Sequence, residues 1–365
     1  MKLGITACLL LVFCSYHESY SQKKTDILPA TKLLPFGRYS FTGQELELIS
    51  SAVHFGFSFK GAECTLYTSI PDANGHNYLQ YVLDGVYQKR VRITGNSNAP
   101  VIIKTPAAGN HKIWIYKATE ATTGPIMITK IVADQVKPLP VPKAPLIEFI
   151  GNSITCGAAA DASETPCGTG SYQDQHNAYM AYGPRVARAL GVNFILSSVS
   201  GIGIYRTWNT DGPSMPEVYE KTDFLKESSR FWDFHTYSPK VVSIALGTND
   251  LSSGDGHTPR KPFDPGQFIN SYVKFVKLVR SRYPHVRIAL LSSPMIRGSG
   301  RDNLEKCLTG IKGEVDKAYP GDRPVALFFF KEMDAHGCGG HPGVEDHGIM
   351  AGQLKPFFTK LLAGH

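Results

Sequence analysis

Long hydrophobic runs are scarce in this chain of 365 residues. Beyond its first two dozen residues none approaches the roughly 20 apolar residues that a membrane helix needs, which excludes a membrane span from the mature protein. Charge is sparse as well, at 19% of residues, and the net surplus of +7 is spread without a dense run of Lys or Arg. That distribution describes a solvated surface and argues against a nucleic-acid footprint. No segment repeats at a fixed period, so a solenoid is excluded. What is present is an ordinary globular composition, 42% apolar, in a chain long enough for two cores.

Met1-Lys2 followed by Leu3 to Cys14 has the charged start and short apolar stretch of a secretory signal. Ser19-Tyr20-Ser21 has the small-x-small form of a cleavage site, which gives a signal over residues 1–21 and a secreted or periplasmic protein. Lipid attachment at Cys8 or Cys14 is the competing reading: Cys8 leaves almost no apolar stretch before it, and Phe13 is bulky where a small residue is needed. Cleavage leaves Cys64, Cys156, Cys167, Cys307 and Cys338. A pair Cys156–Cys167 is expected, with at least one cysteine left over.

From about Leu28 to Val136 the chain reads as short strands. Val53, Phe55, Phe57 and Phe59 alternate with His54, Gly56 and Ser58, the period-2 pattern of a half-buried strand. Further strand-like runs are Glu45–Ile49, Cys64–Ser69, Tyr78–Leu83, Val86–Ile93, Val101–Lys104, His111–Tyr116 and Ile126–Val132, separated by turn residues. They predict an all-β sandwich of jelly-roll type over residues 22–137. The Pro-rich stretch 138–145 then reads as a stiff linker. Over residues 146–365 continuous apolar runs (Leu146–Ile150, Val192–Ser198, Val241–Leu246, Arg287–Ser292, Val325–Phe330) alternate with helical stretches near Tyr179–Leu190, Phe268–Arg282, Asn303–Ala318 and His347–Leu362. Such alternation predicts an α/β domain with five parallel strands and helices on both faces.

Four short segments carry the chemistry. Gly151-Asn152-Ser153 closes the first of these strands and Ser197-Ser-Val-Ser-Gly201 the second, while Gly247-Thr-Asn249-Asp250 follows the third. Gly339-Gly-His341-Pro precedes the last helix. Serine, glycine, asparagine and histidine in this order resemble the four blocks of the SGNH (GDSL-like) hydrolases, with Gly-Asn-Ser where that family usually has Gly-Asp-Ser. With an all-β domain in front, the chain resembles a family 2 carbohydrate esterase, a group of two-domain deacetylases of plant polysaccharides. The resemblance implies a flavodoxin-like hydrolase domain and an acetylated polysaccharide as substrate, with no cofactor or metal required.

It also implies roles. Ser153 is the nucleophile and His341 its base, because an unaided serine hydroxyl is weak. The Ser153 and Gly201 backbone N–H groups and the Asn249 amide form the oxyanion hole. Asp250 supports its loop. Trp208 and Tyr205 are candidates for a sugar-stacking wall. The family often places an aspartate three residues before the histidine, and Cys338 stands there instead. Either a backbone carbonyl orients His341, giving a Ser-His dyad, or Asp334, Glu345 or Asp346 reaches it in space. Blander readings exist for each block: Gly-Asn-Ser as a turn, Gly201 as a tight turn, Asn249 as an Asx-turn, His341 as a loop histidine. Zinc at His336, Cys338, His341, Asp346 and His347 is a rival, but the spacing matches no common zinc signature and leaves the serine and asparagine blocks unexplained. At the level of activity, the alternatives are a lipase- or thioesterase-like enzyme and a non-catalytic carbohydrate-binding protein.

Overall fold

A computed structural model describes residues 25–95 and 99–363; the expected signal, residues 1–21, lies outside them. The N-terminal domain comprises β1 (Asp26–Pro29), β2 (Tyr39–Thr42), β3 (Glu45–Leu48), β4 (His54–Ser69), β5 (His76–Leu83), β6 (Val86–Tyr87), β7 (Val91–Thr94), β8 (Val101–Lys117) and β9 (Ile126–Leu139). These form one antiparallel, curled sheet in the order β2-β3-β9-β4-β8-β5-β6, with β1 on β9 and β7 on β5. Phe55, Phe57 and Phe59 bury their rings inside it, as the alternation predicts, together with Leu46, Leu66 and Ile113.

Several runs expected as separate strands are continuous here. The alternating run through Phe59 and the run Cys64–Ser69 merge into the single strand β4, which starts at His54 and whose register shifts between Gly61 and Glu63. Gly61 adopts φ +119°, so the chain bends without leaving the sheet. Likewise β9 runs on to Leu139, into the Pro-rich stretch.

The C-terminal domain is built on β10 (Leu146–Gly151), β11 (Asn193–Ser198), β12 (Val241–Ala245), β13 (Arg287–Leu291) and β14 (Ala326–Phe328). All are parallel, in the order β11-β10-β12-β13-β14. Both faces are covered by helices, which is why these strands read as unbroken apolar runs. The helices are α1 (Ser153–Cys156), α2 (Tyr182–Leu190), α3 (Met215–Val218), α4 (Pro265–Arg282), α5 (Gly298–Ala318) and α6 (Val344–Leu362). One core lies among α4, α5 and the sheet (Phe268, Phe275, Leu308, Ile244). The other, beside α2 and α6, takes in Phe149, Tyr182 and Phe358.

That second core also receives Ala52, Val82 and Tyr116 from the N-terminal domain, so the two domains share buried apolar surface. A polar anchor accompanies it. The fully buried Arg38 donates to the carbonyls of Tyr219 (2.6 Å) and Lys221 (2.9 Å) and lies 3.7 Å from the buried Glu148 carboxylate. Two buried charges held this way make sliding of one domain over the other costly, since either charge without its partner would be stranded in a poor dielectric.

Candidate active site

The order β11-β10-β12 reverses direction around β10, the place where open α/β sheets form a crevice at the strands' C-terminal ends. Ser153 directly follows β10, Gly201 lies just beyond β11 and Asn249 just beyond β12, so neighbouring strands deliver all of them to one rim. His341 arrives on the loop between β14 and α6. A cleft of about 780 Å³ there is lined by Ser153, Gly201, Trp208, Asn249 and His341, together with Glu120, Thr122, Tyr172 and Met295.

Ser153 opens α1. The Asn152 side chain caps this short turn by accepting the Ile154 N–H at 3.1 Å, which holds the serine at its start with little freedom. His341 Nε2 lies 2.9 Å from Ser153 Oγ. On the ring's other side, Nδ1 lies 3.3 Å from the Cys338 carbonyl and 3.2 Å from that of Gly339. Gly339 and Gly340 both have positive φ, +58° and +73°, and this left-handed turn is what curls those carbonyls back toward the ring. Burial lowers the His341 pKa below its ordinary 6.5, against the opposing pull of the two carbonyls.

None of the carboxylates weighed from sequence stands behind the ring. Asp334 is exposed and pairs with Arg297. Asp346 accepts the N–H groups of His336 and Gly343, both at 2.8 Å, and the His336 ring at 2.8 Å, so it clasps the two ends of the histidine loop.

Gly201 has φ +74°, and a Cβ there would come within 2.8 Å of the Trp208 ring, so both backbone and space demand glycine. The Asn249 amide donates to the Ile202 carbonyl at 2.8 Å, which fixes the amide plane beside the cleft. Asp250 is fully buried and accepts the N–H groups of Ile204 (2.9 Å) and Tyr205 (3.0 Å); burial pushes its pKa up to about 6. The loop gripped is the one after β11, not Asp250's own as the sequence suggests, and that loop presents Trp208, 45% exposed, to the cleft. Tyr205 goes elsewhere: its ring packs beside Phe263 and Phe268, and its hydroxyl accepts the Asp264 N–H at 3.2 Å.

The expected Cys156–Cys167 pair is replaced by Cys167–Cys338, which joins the 162–170 loop to the histidine loop. Cys156 cannot reach Cys167 because α1 buries it completely, with its sulfur 3.2 Å from Ser198 Oγ and 3.5 Å from Glu120. Burial raises its pKa well above the ordinary value. Cys64 and Cys307 are also free and buried. Of the zinc rivals, Cys338 is consumed by the disulfide and His347 is buried, accepting the Tyr182 N–H at 3.2 Å. Among the described residues no group of His, Cys, Asp and Glu is arranged to hold a metal ion.

One cluster escaped the sequence reading. Glu120, on the β8–β9 loop of the N-terminal domain, is fully buried, accepts the Ser200 N–H at 2.7 Å and lies 3.5 Å from His176 Nε2. Burial works against its charged form, yet the His176 and Ser200 hydrogen bonds outweigh it and bring the pKa down to about 2. Beside it Lys117 is fully buried, donates to the Glu120 carbonyl, and is drawn by burial down to about 7. Nothing in Lys117-Ala-Thr-Glu120, met inside a run of strands, signals a place next to a serine of the other domain.

Comparison with known proteins agrees with both halves of this arrangement. Residues 36–142 match the carbohydrate esterase 2 N-terminal family, and residues 149–320 the GDSL-like lipase/acylhydrolase family. The chain is 29% identical to the cellulase/esterase CelE of Acetivibrio thermocellus over 87% of its own length but only 38% of that protein's. It is 28% identical to an acetylxylan esterase/glucomannan deacetylase of Cellvibrio japonicus, over 83% of this chain and 82% of the other. Among solved structures, a family two carbohydrate esterase from Clostridium thermocellum in complex with cellohexaose superposes with a TM-score of 0.77 at 28% identity, covering 93% of this chain and 99% of that one.

Proposed function

We propose that this chain, a carboxylic ester hydrolase whose two halves match the carbohydrate esterase 2 N-terminal and GDSL-like lipase/acylhydrolase families, is a secreted esterase removing O-acetyl groups from plant polysaccharides of the xylan or glucomannan type. Residues 1–21 are its signal and residues 146–365 its catalytic domain, joined through the stretch 138–145 to the all-β domain of residues 22–137. The observation that carries the reading is the 2.9 Å contact between His341 Nε2 and Ser153 Oγ at a cleft wide enough for a sugar.

Ser153 Oγ attacks the acetyl carbonyl while His341 Nε2 takes its proton. The negative charge that develops on the carbonyl oxygen is met by the N–H groups of Ser153 and Gly201 and by the Asn249 amide. The imidazolium is steadied through Nδ1–H by the carbonyls of Cys338 and Gly339, a dyad in place of a carboxylate triad. His341 then gives the proton to the departing sugar hydroxyl, and water, activated by the same ring, clears the acetyl-enzyme. Trp208 is the wall on which the sugar face stacks. Acetate release from acetylated xylan, glucomannan and pectin by wild type and Ser153→Ala tests the proposal: release from xylan or glucomannan by the wild type alone supports it. Preference for long acyl esters would indicate a lipase-like enzyme.

A further inference from the structure

We propose that the Cys167–Cys338 disulfide is the positioning device of His341, doing the work of the aspartate that this chain lacks, so that the esterase loses most of its activity when the bond is reduced. This rests on the serine-esterase reading above and adds a regulatory property to it. Cys338 occupies the position three residues before His341, and its main-chain carbonyl, 3.3 Å from Nδ1, is one of the two acceptors behind the ring. Its side chain is bonded to Cys167, 171 residues away in sequence. Of the two, Cys338 is buried and Cys167 exposed, which leaves one sulfur open to an attacking thiolate.

The covalent tie matters because the turn's own hydrogen bonds, Gly337 N–H to the His341 carbonyl (2.8 Å) and His341 N–H to the Cys338 carbonyl (3.2 Å), close it on itself without bracing it against a neighbouring loop. Asp346 secures the ends, at His336 and Gly343. Between them the Cys338 N–H bonds the Ala159 carbonyl at 2.8 Å, followed by two left-handed glycines that favour no single conformation once freed. On the other side, Cys167 sits in a loop pinned through Gln175, whose amide donates to the Pro166 and Thr169 carbonyls. The disulfide therefore braces a glycine turn against a loop with its own supports. A dithiol reductant would undo this in balanced steps. One thiolate attacks Cys167, releasing Cys338 as a thiol, and the second displaces the mixed disulfide. The reductant is oxidised to a cyclic disulfide, and two electrons and two protons pass to the cysteines.

The test compares the oxidised wild type, the same protein treated with dithiothreitol, Cys167→Ser/Cys338→Ser, and Cys167→Ser/Cys338→Asp, all by hydrolysis of 4-nitrophenyl acetate and by near-ultraviolet circular dichroism. The double serine variant and the reduced wild type are expected to lose about 10- to 100-fold in kcat with the fold retained, the scale for a misplaced catalytic group. The aspartate variant is expected to recover most of that loss, because a carboxylate at position 338 can take over Nδ1–H; a disulfide serving only the fold would give no such rescue. Should the double serine variant fail to fold, the reduced wild type and the aspartate variant decide the matter. In parallel, the Nδ1–H proton resonance of His341, assigned by its absence from His341→Ala, should be sharp in the oxidised wild type and lost on reduction. Full activity in the reduced, folded protein would overturn the proposal, as would an aspartate variant no better than the serine one. If the wild type hydrolyses nothing yet the resonance still depends on the disulfide, the esterase reading falls and the positioning role stands.

Discussion

Glu120 of the N-terminal domain accepts the backbone N–H of Ser200, the residue before Gly201, at 2.7 Å. The front domain thus fixes the strand tip that carries Gly201, the glycine proposed above as an oxyanion donor. Since Glu120 holds its proton far more weakly folded, at about 2, than at its ordinary 4.5, its contribution to stability is complete above pH 4.5 and drains away as pH falls toward 2. Urea unfolding of wild type and Glu120→Gln should show wild type more stable at pH 7, with the gap narrowing steadily between pH 4.5 and 2. A gap independent of pH would mean that the carboxylate's charge is irrelevant.

Ser153→Ala is expected to fold like wild type and to lose nearly all esterase activity, because its hydroxyl faces His341 at the cleft and packs no core. Activity near the wild-type level, measured on the aryl acetate, would remove Ser153 from the nucleophile's role.

Asn249→Ala should lower kcat by about 10²–10³, the scale for one oxyanion donor. A change in KM alone would instead mean that the amide positions substrate.

The three carboxylates near His341 should not behave alike. Asp334→Ala and Glu345→Ala should keep most activity, since Asp334 is taken up by Arg297 at the surface and neither contacts the ring. Asp346→Ala should cost roughly tenfold, by loosening both ends of the loop, against the loss of about 10⁴ known for disabling a true triad aspartate. His341→Ala should be as inactive as Ser153→Ala. A 10⁴-fold loss in any folded carboxylate variant would reveal a triad after all.

Burial lowers the His341 pKa, and a general base must be unprotonated to act. The acid limb of kcat/KM should therefore have its midpoint below 6.5, the ordinary histidine value. A midpoint above 6.5 would point to a carboxylate stabilising the imidazolium.

The alternation at Val53–Phe59 announced a half-buried strand, and the unbroken runs after residue 146 announced a parallel sheet sandwiched by helices. These are one-dimensional consequences of burial on one face or on both, so local sequence carries them. The serine, glycine and asparagine blocks could be located at strand ends, and the histidine block ahead of the last helix, because turn residues mark those places in the chain. Tertiary structure alone decided what no spacing encodes. It paired Cys167 with Cys338 and buried Cys156, because α1 turns that cysteine toward Glu120 and Ser198. It turned Tyr205 toward Phe263, through the grip of Asp250 on the loop. It chose backbone carbonyls over three nearby carboxylates to stand behind His341, and it brought Glu120 and Lys117 from the other domain to the edge of the site. Most of these depend on which surfaces meet across a sheet tip or a domain boundary, a matter of three-dimensional proximity between residues up to 171 positions apart in the chain.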